Sequence, residues 1–114
     1  MVKGSVVLVP FPFDDLSAAK VRPAVCLTDP IGSHRHIVLA FISSRKPGRL
    51  EDSDLMLEST HPDFAVTGLR VSSVLRLHRL MTVSLGIVRR RLGALPAQWL
   101  DDVDNRIRTL FRLK

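Results

Sequence analysis

Ser5-Val6-Val7-Leu8-Val9-Pro10-Phe11 is an apolar, valine-rich run, and two more of its kind follow: Arg22-Pro23-Ala24-Val25-Cys26-Leu27-Thr28 and His36-Ile37-Val38-Leu39-Ala40-Phe41-Ile42-Ser43. The intervals between them hold Pro, Gly, Ser and Asp and are too short for helical crossovers, so the runs predict strands of an antiparallel sheet rather than a parallel α/β one. Pro10 and Pro12 remove ladder donors, and the first strand is expected to end or turn outward near them. Asp14-Asp15-Leu16-Ser17 supports a loop there, running to Val21. Further along, Arg45 to Ser53 reads as a polar loop, Asp54 to Glu58 as a short strand, Thr60 to Gly68 as irregular and Val71 to Val83 as extended. Ile87 to Leu92 fits either a strand or a helical turn. From Pro96 the period changes: Leu100, Val103, Ile107, Leu110 and Phe111 recur at three- and four-residue steps. Pro96 suits a first helical turn, and Asp101, Asp102 and Asp104 precede Arg106, Arg108 and Arg112, as the helix dipole favours. The pattern predicts a mainly β fold, a small barrel with a C-terminal amphipathic helix packed on it.

Length and composition set outer bounds. At 114 residues and 46% apolar, the chain is expected to form a single domain over residues 1–114 with one modest core. No apolar run approaches the roughly 20 residues needed to cross a bilayer, and Lys3, Gly4 and Pro10 interrupt the start, so neither a membrane span nor a signal peptide is expected. Cys26, the one cysteine, lies in an apolar run where a thiol acts as a small hydrophobe, and a cytoplasmic location fits.

The net charge is +6, and 13 of the 17 basic residues are arginine, whose planar fork pairs with phosphate as lysine cannot. The charges are also segregated. Residues 51–63 carry five acids and no Lys or Arg, whereas 64–100 carry six arginines and no acid. Nucleic acid is the leading partner class on these grounds, and a solvated arginine-rich surface is the alternative.

Lys3-Gly4-Ser5-Val6-Val7-Leu8-Val9-Pro10-Phe11-Pro12-Phe13, followed by Lys20-Val21-Arg22-Pro23-Ala24-Val25, resembles the start of MazF/PemK (Kid) family toxins. Ile37 to Ser44 is similar to that family's third strand, Ser73 to Leu80 to its later core strand, and Leu92-Gly93-Ala94-Leu95 to the lead into its final helix. The resemblance spans nearly the whole chain. It implies an SH3-like β-barrel, a homodimer, and the toxin of a type II toxin–antitoxin system, a sequence-specific endoribonuclease cleaving single-stranded mRNA without metal. It also implies inhibition by an antitoxin segment, expected to be acidic. Two departures stand out: Ser5 where the family usually has aspartate, and His78 where a plasmid toxin of the family uses an aspartate as base, two residues after an arginine.

Metal-free RNA cleavage needs a base for the 2′-hydroxyl proton, an acid for the departing 5′-oxygen, and cations around the phosphorane. His78 is the candidate for proton transfer, because imidazole titrates near neutrality; an ordinary strand histidine is the alternative. Arg76 alternates with His78 along an extended strand, so the two are expected on one face, in reach of one phosphate. Arg22, before Pro23, is biased toward extended geometry, and the resemblance makes it the arginine that stabilises developing charge; its alternative is a surface salt bridge to Asp14 or Asp15. Ser43 offers a hydroxyl to phosphate or else ends a strand. Arg22, Ser43, Arg76 and His78 form the expected catalytic set, with Lys20, Ser44, Arg45 and Arg79 as RNA-binding residues.

His34 and His36 share a face if extended, but a zinc site needs further ligands and only His61 and Cys26 remain; no metal or other cofactor is assigned. Arg89-Arg90-Arg91 lines an RNA groove, meets antitoxin acids, or is simply a solvated face. Trp99 is assigned to packing rather than base stacking. Two other functions compete: a gyrase-poisoning toxin of CcdB type, which the arginines of 64–100 disfavour, and a catalytically inactive RNA- or antitoxin-binding module. The bases read in RNA are not legible, since loop pockets choose them; the loops Pro12 to Lys20 and Arg45 to Ser53 are the expected place.

Overall fold

The computed structural model describes residues 1–11 and 20–114. Among these residues run six strands: β1 (Ser5–Phe11), β2 (Lys20–Cys26), β3 (His36–Ser43), β4 (Asp54–Leu57), β5 (Ser73–Ser84) and β6 (Arg90–Ala94); one helix, α1 (Ala97–Leu110), follows. They form one sheet in the order β4-β5-β3-β2-β1-β6, every pair antiparallel, curled into a half-barrel. The mainly β, SH3-like fold with a C-terminal helix is the one expected. Boundaries shift slightly. β2 starts at Lys20, two residues early, because Lys20, Val21 and Arg22 continue the ladder with Phe11, Pro10 and Val9. β1 ends at Phe11, one residue past Pro10, as expected; the ladder to β6 on the other side stops at Leu8, short of the proline. The ambiguous Ile87–Leu92 stretch divides into a 3₁₀ turn at Leu85–Ile87 and the start of β6. The expected loop residues Asp14–Ser17 lie outside the described residues.

β1 to β3 read as near-continuous apolar runs because both of their faces are covered. On one face Val6, Val25, Ala40, Ile42, Leu55, Leu75 and Leu77 pack under α1 through Leu95, Trp99 and Val103, with Leu100 and Ile107 partly buried beside them. On the other, Val7, Val9, Phe11, Ala24, Cys26, Ile37, Leu39 and Phe41 pack beneath Met81, Val83, Leu85 and Val88 from the far half of β5 and the segment after it. The half-barrel's gap between β4 and β6 is filled by the 3₁₀ turn Phe64–Thr67 and Gly68, which press on β6. Two glycines permit this approach: a Cβ on Gly68 would collide with the Leu92 backbone, and one on Gly93 with the backbone of Val66 and Thr67. Phe111, at the end of α1, is half-exposed rather than part of the buried stripe. Among the described residues, no helix is long and apolar enough to cross a membrane.

Candidate functional site

At one end of the sheet the strands part. β2 pairs with β3 only from Ala24 to Cys26, so Lys20 and Arg22 continue alongside β1 alone, past the end of β3. The opening is a groove of about 540 Å³ lined by Phe11, Lys20, Arg22, Phe41, Ile42, Ser43, Ser44, Arg45, Arg76 and Arg79. Among the described residues its lining holds five cations and no acid. Seven of the eight residues expected at the site therefore meet in one groove: Lys20, Arg22, Ser43, Ser44, Arg45, Arg76 and Arg79.

Phe11 forms the floor. Its ring is buried, meets Phe41 edge-on at 4.6 Å between centroids, and carries two guanidinium groups, Arg22 at 5.7 Å and Arg79 at 5.3 Å from its centroid. The negative face of an aromatic ring attracts cations, which lets two like charges share one small region. Sequence reasoning passed over this residue, although it stands in the Pro-Phe-Pro-Phe stretch. The Ser43 hydroxyl closes a local turn, accepting the Arg45 N–H at 3.1 Å and donating to the Arg45 carbonyl at 3.2 Å, so it fixes the bend that brings Ser44 and Arg45 to the rim.

β5 does not alternate simply here. Phe41 of β3 faces Arg76, yet its neighbour Ala40 faces Leu80, so Leu77, His78 and Arg79 bulge out of the ladder. Leu77 turns into the core, Arg79 returns to the groove, and His78 opens on a separate recess of about 390 Å³ with Glu51, Asp52, Ser53, Arg106, Thr109 and Leu110. Arg76 and His78 do converge, but on a carboxylate: Asp54 Oδ1 accepts Arg76 Nε–H at 2.7 Å and lies 3.8 Å from His78 Nδ1. The Asp54 side chain is fully buried, and its Oδ2 accepts the Glu51 N–H at 2.8 Å. Arg106 braces this turn, donating through one terminal nitrogen to the carbonyls of Asp52 and Asp54, while its Nε holds Asp102. Asp54 is the second residue that sequence reasoning missed; its signal was the acidic 51–63 run lying next in sequence to the arginine-rich one.

The other candidates lie apart. His34 and His36 stack on each other at 5.8 Å, whereas Cys26 is buried under the sheet and His61 is held between the Asp63 N–H and Gln98, against the Trp99 ring. Burial pushes the Cys26 thiol above its ordinary range. Trp99 packs in the core, as assigned. Arg90 and Arg91 stand exposed on the edge strand β6, away from the groove.

A curled half-barrel with one helix across it and a cation-lined groove at its open end defines a small SH3-like barrel protein with a basic groove. The chain belongs to the family described as PemK-like, MazF-like toxin of type II toxin–antitoxin system, whose sequence profile matches residues 2–111. Solved structures of similar shape include toxin MazF-mt6 of Mycobacterium tuberculosis, with a TM-score of 0.73 at 20% identity over 96% of this chain and 98% of that one. A mycobacterial endoribonuclease in complex with its cognate antitoxin gives 0.72 at 10% identity, covering 100% and 97%. A MazE–MazF structure from Deinococcus radiodurans gives 0.71 at 18%, covering 100% and 97%. No curated protein matches the chain significantly by sequence.

Proposed function

We propose that this protein is the endoribonuclease toxin of a type II toxin–antitoxin pair, a sequence-specific mRNA interferase that cleaves single-stranded RNA without a metal ion. The observation that carries the reading is the groove itself: among the described residues, five cations from two strands and a turn converge on a floor of two phenylalanines. Such a groove suits the phosphates of an RNA backbone. In the reaction, the 2′-oxygen bonds to phosphorus, the bond to the 5′-oxygen breaks, and a 2′,3′-cyclic phosphate and a free 5′-hydroxyl result. Arg22 and Arg76 take up charge developing on the phosphorane, Ser43 orders the rim, and Lys20, Ser44, Arg45 and Arg79 hold flanking phosphates. His78 transfers the proton from beyond the Arg76–Asp54 ridge, on the path of an RNA that crosses from the groove into the recess.

Incubation with a long unstructured RNA in EDTA tests the reading: fragments ending in cyclic phosphate support it, and an intact RNA at micromolar protein rejects it. Within that reading the chain acts as one toxin domain, in the cytoplasm. An antitoxin supplies an acidic segment, disordered until it binds, that lies across the groove, so its affinity falls with added salt. The protein pairs as a homodimer through the apolar face where Leu27, Val38, Leu80, Ile107 and Phe111 meet; light scattering that shows a monomer at tens of micromolar would reject that.

A further inference from the structure

We infer that Asp54 is a positioning residue of the groove, aiming the Arg76 fork at the scissile phosphate from the next strand. The inference rests on the RNA-cleaving reading above and adds to it a residue outside the groove lining.

Three features carry it. Asp54 stands directly opposite Arg76 in the β4–β5 ladder, so backbone pairing fixes their separation. Its carboxylate is fully buried and is held on both sides: Oδ2 by the Glu51 N–H, Oδ1 by Arg76 Nε–H at 2.7 Å. Nε is the one guanidinium nitrogen whose capture leaves both terminal amino groups on the far side, and among the described residues neither of these has a bond within the protein. Gripped this way, Arg76 presents a bidentate pair of donors to the groove it lines, with the rotation about its last bonds already fixed. The same oxygen lies 3.8 Å from His78 Nδ1, so the carboxylate faces the imidazole as well as the guanidinium. A surface ion pair would do none of this, being solvated and mobile.

The test is a double-mutant cycle read on two probes: an all-ribose oligonucleotide for cleavage and its 2′-deoxy counterpart for binding. In Asp54→Asn the single, uncharged amide oxygen cannot accept from both Arg76 and Glu51, so the charge-assisted grip held on two sides is weakened. Asp54→Ser keeps a short acceptor for the Glu51 N–H but cannot reach Arg76, which guards against a variant that merely misfolds. Both should lower kcat/KM about tenfold in the parent, mainly through kcat, and by less than about twofold in an Arg76→Ala background. Equal losses in both backgrounds, or no loss in the parent, overturn the inference. If the parent binds the deoxy probe but cleaves neither, the catalytic reading fails while the cycle on binding still decides the role of Asp54; if it binds neither, both fall.

Discussion

Replacing Phe11 by leucine removes the π face while keeping a buried aliphatic group, and the consequence follows from three ring contacts among the described residues. Two guanidinium groups lie over that ring at 5.7 and 5.3 Å, each contact contributing about 0.5–1 kcal/mol where partly exposed. The edge-on contact with Phe41 adds about 0.5–1.5 kcal/mol, and the smaller side chain leaves a void costing about 1 kcal/mol. The expected loss of stability is about 3 kcal/mol, read as a lowered urea midpoint and a melting temperature roughly 10 °C lower. RNA affinity should drop as well, because Arg22 and Arg79 lose the surface that seats them. Yet every charge remains, so the slope of log affinity against log salt should match the parent's, whereas Arg22→Ala should flatten it by about 0.7. A Phe11→Leu variant with the parent's urea midpoint, or with a flattened salt slope, would refute the account of the ring as the seat of the two arginines.

Gly93→Ala should destabilise by about 3 kcal/mol or leave the protein insoluble, since the new Cβ meets backbone of Val66 and Thr67 that no rotamer change can move; an unchanged urea midpoint would contradict the proposed closure. His78→Ala should slow cleavage about a hundredfold or more with RNA binding retained; cleavage at the parent rate would make His78 a structural neighbour of Asp54. Cys26 should resist alkylation in the native protein, because burial raises its pKa and withholds thiolate. The folded pKa lies above the unfolded one, so this contribution is fully present below the unfolded value of about 8.5 and is lost as pH rises through the folded value. Urea melts of the parent should weaken over that alkaline range and those of Cys26→Ala less so; identical pH profiles would count against it.

The fold was legible in the sequence wherever a single physical preference decided the local structure. β1, β3 and α1 stand where apolar runs and a 3.6-residue period put them, because burial on both faces of a strand, or on one stripe of a helix, leaves that signature. The expectation that the first strand ends near Pro10 held: β1 stops at Phe11, and β6 has already left its edge at Leu8, so that the proline's missing N–H is not needed. How the half-barrel closes was illegible, since Gly68 lies against the Leu92 backbone and Gly93 against that of Val66 and Thr67, a contact that leaves no periodic trace.

The site was legible as composition and not as direction. Arginine, serine and lysine announced a phosphate groove: Lys20, Arg22 and Ser43 arrive there from strand ends, Ser44 and Arg45 from the turn after β3, and Arg76 and Arg79 from either side of the bulge within β5. Directions within β5 could not be read, because alternation assumes an unbroken ladder and the Leu77–Arg79 bulge breaks it between two residues whose spacing carried the argument. That bulge returns Arg79 to the groove and sends His78 to the neighbouring recess. The contact that then links Arg76 to His78 runs through a carboxylate 22 residues earlier in the chain, at a strand register that no local pattern encodes. A bulge in β5 and an acid in β4 thus act on one problem: the bulge sets which cations share the groove, and Asp54 sets how the most constrained of them points. Substitutions that straighten the bulge should therefore disturb RNA cleavage as much as loss of a groove arginine, with every groove residue still present.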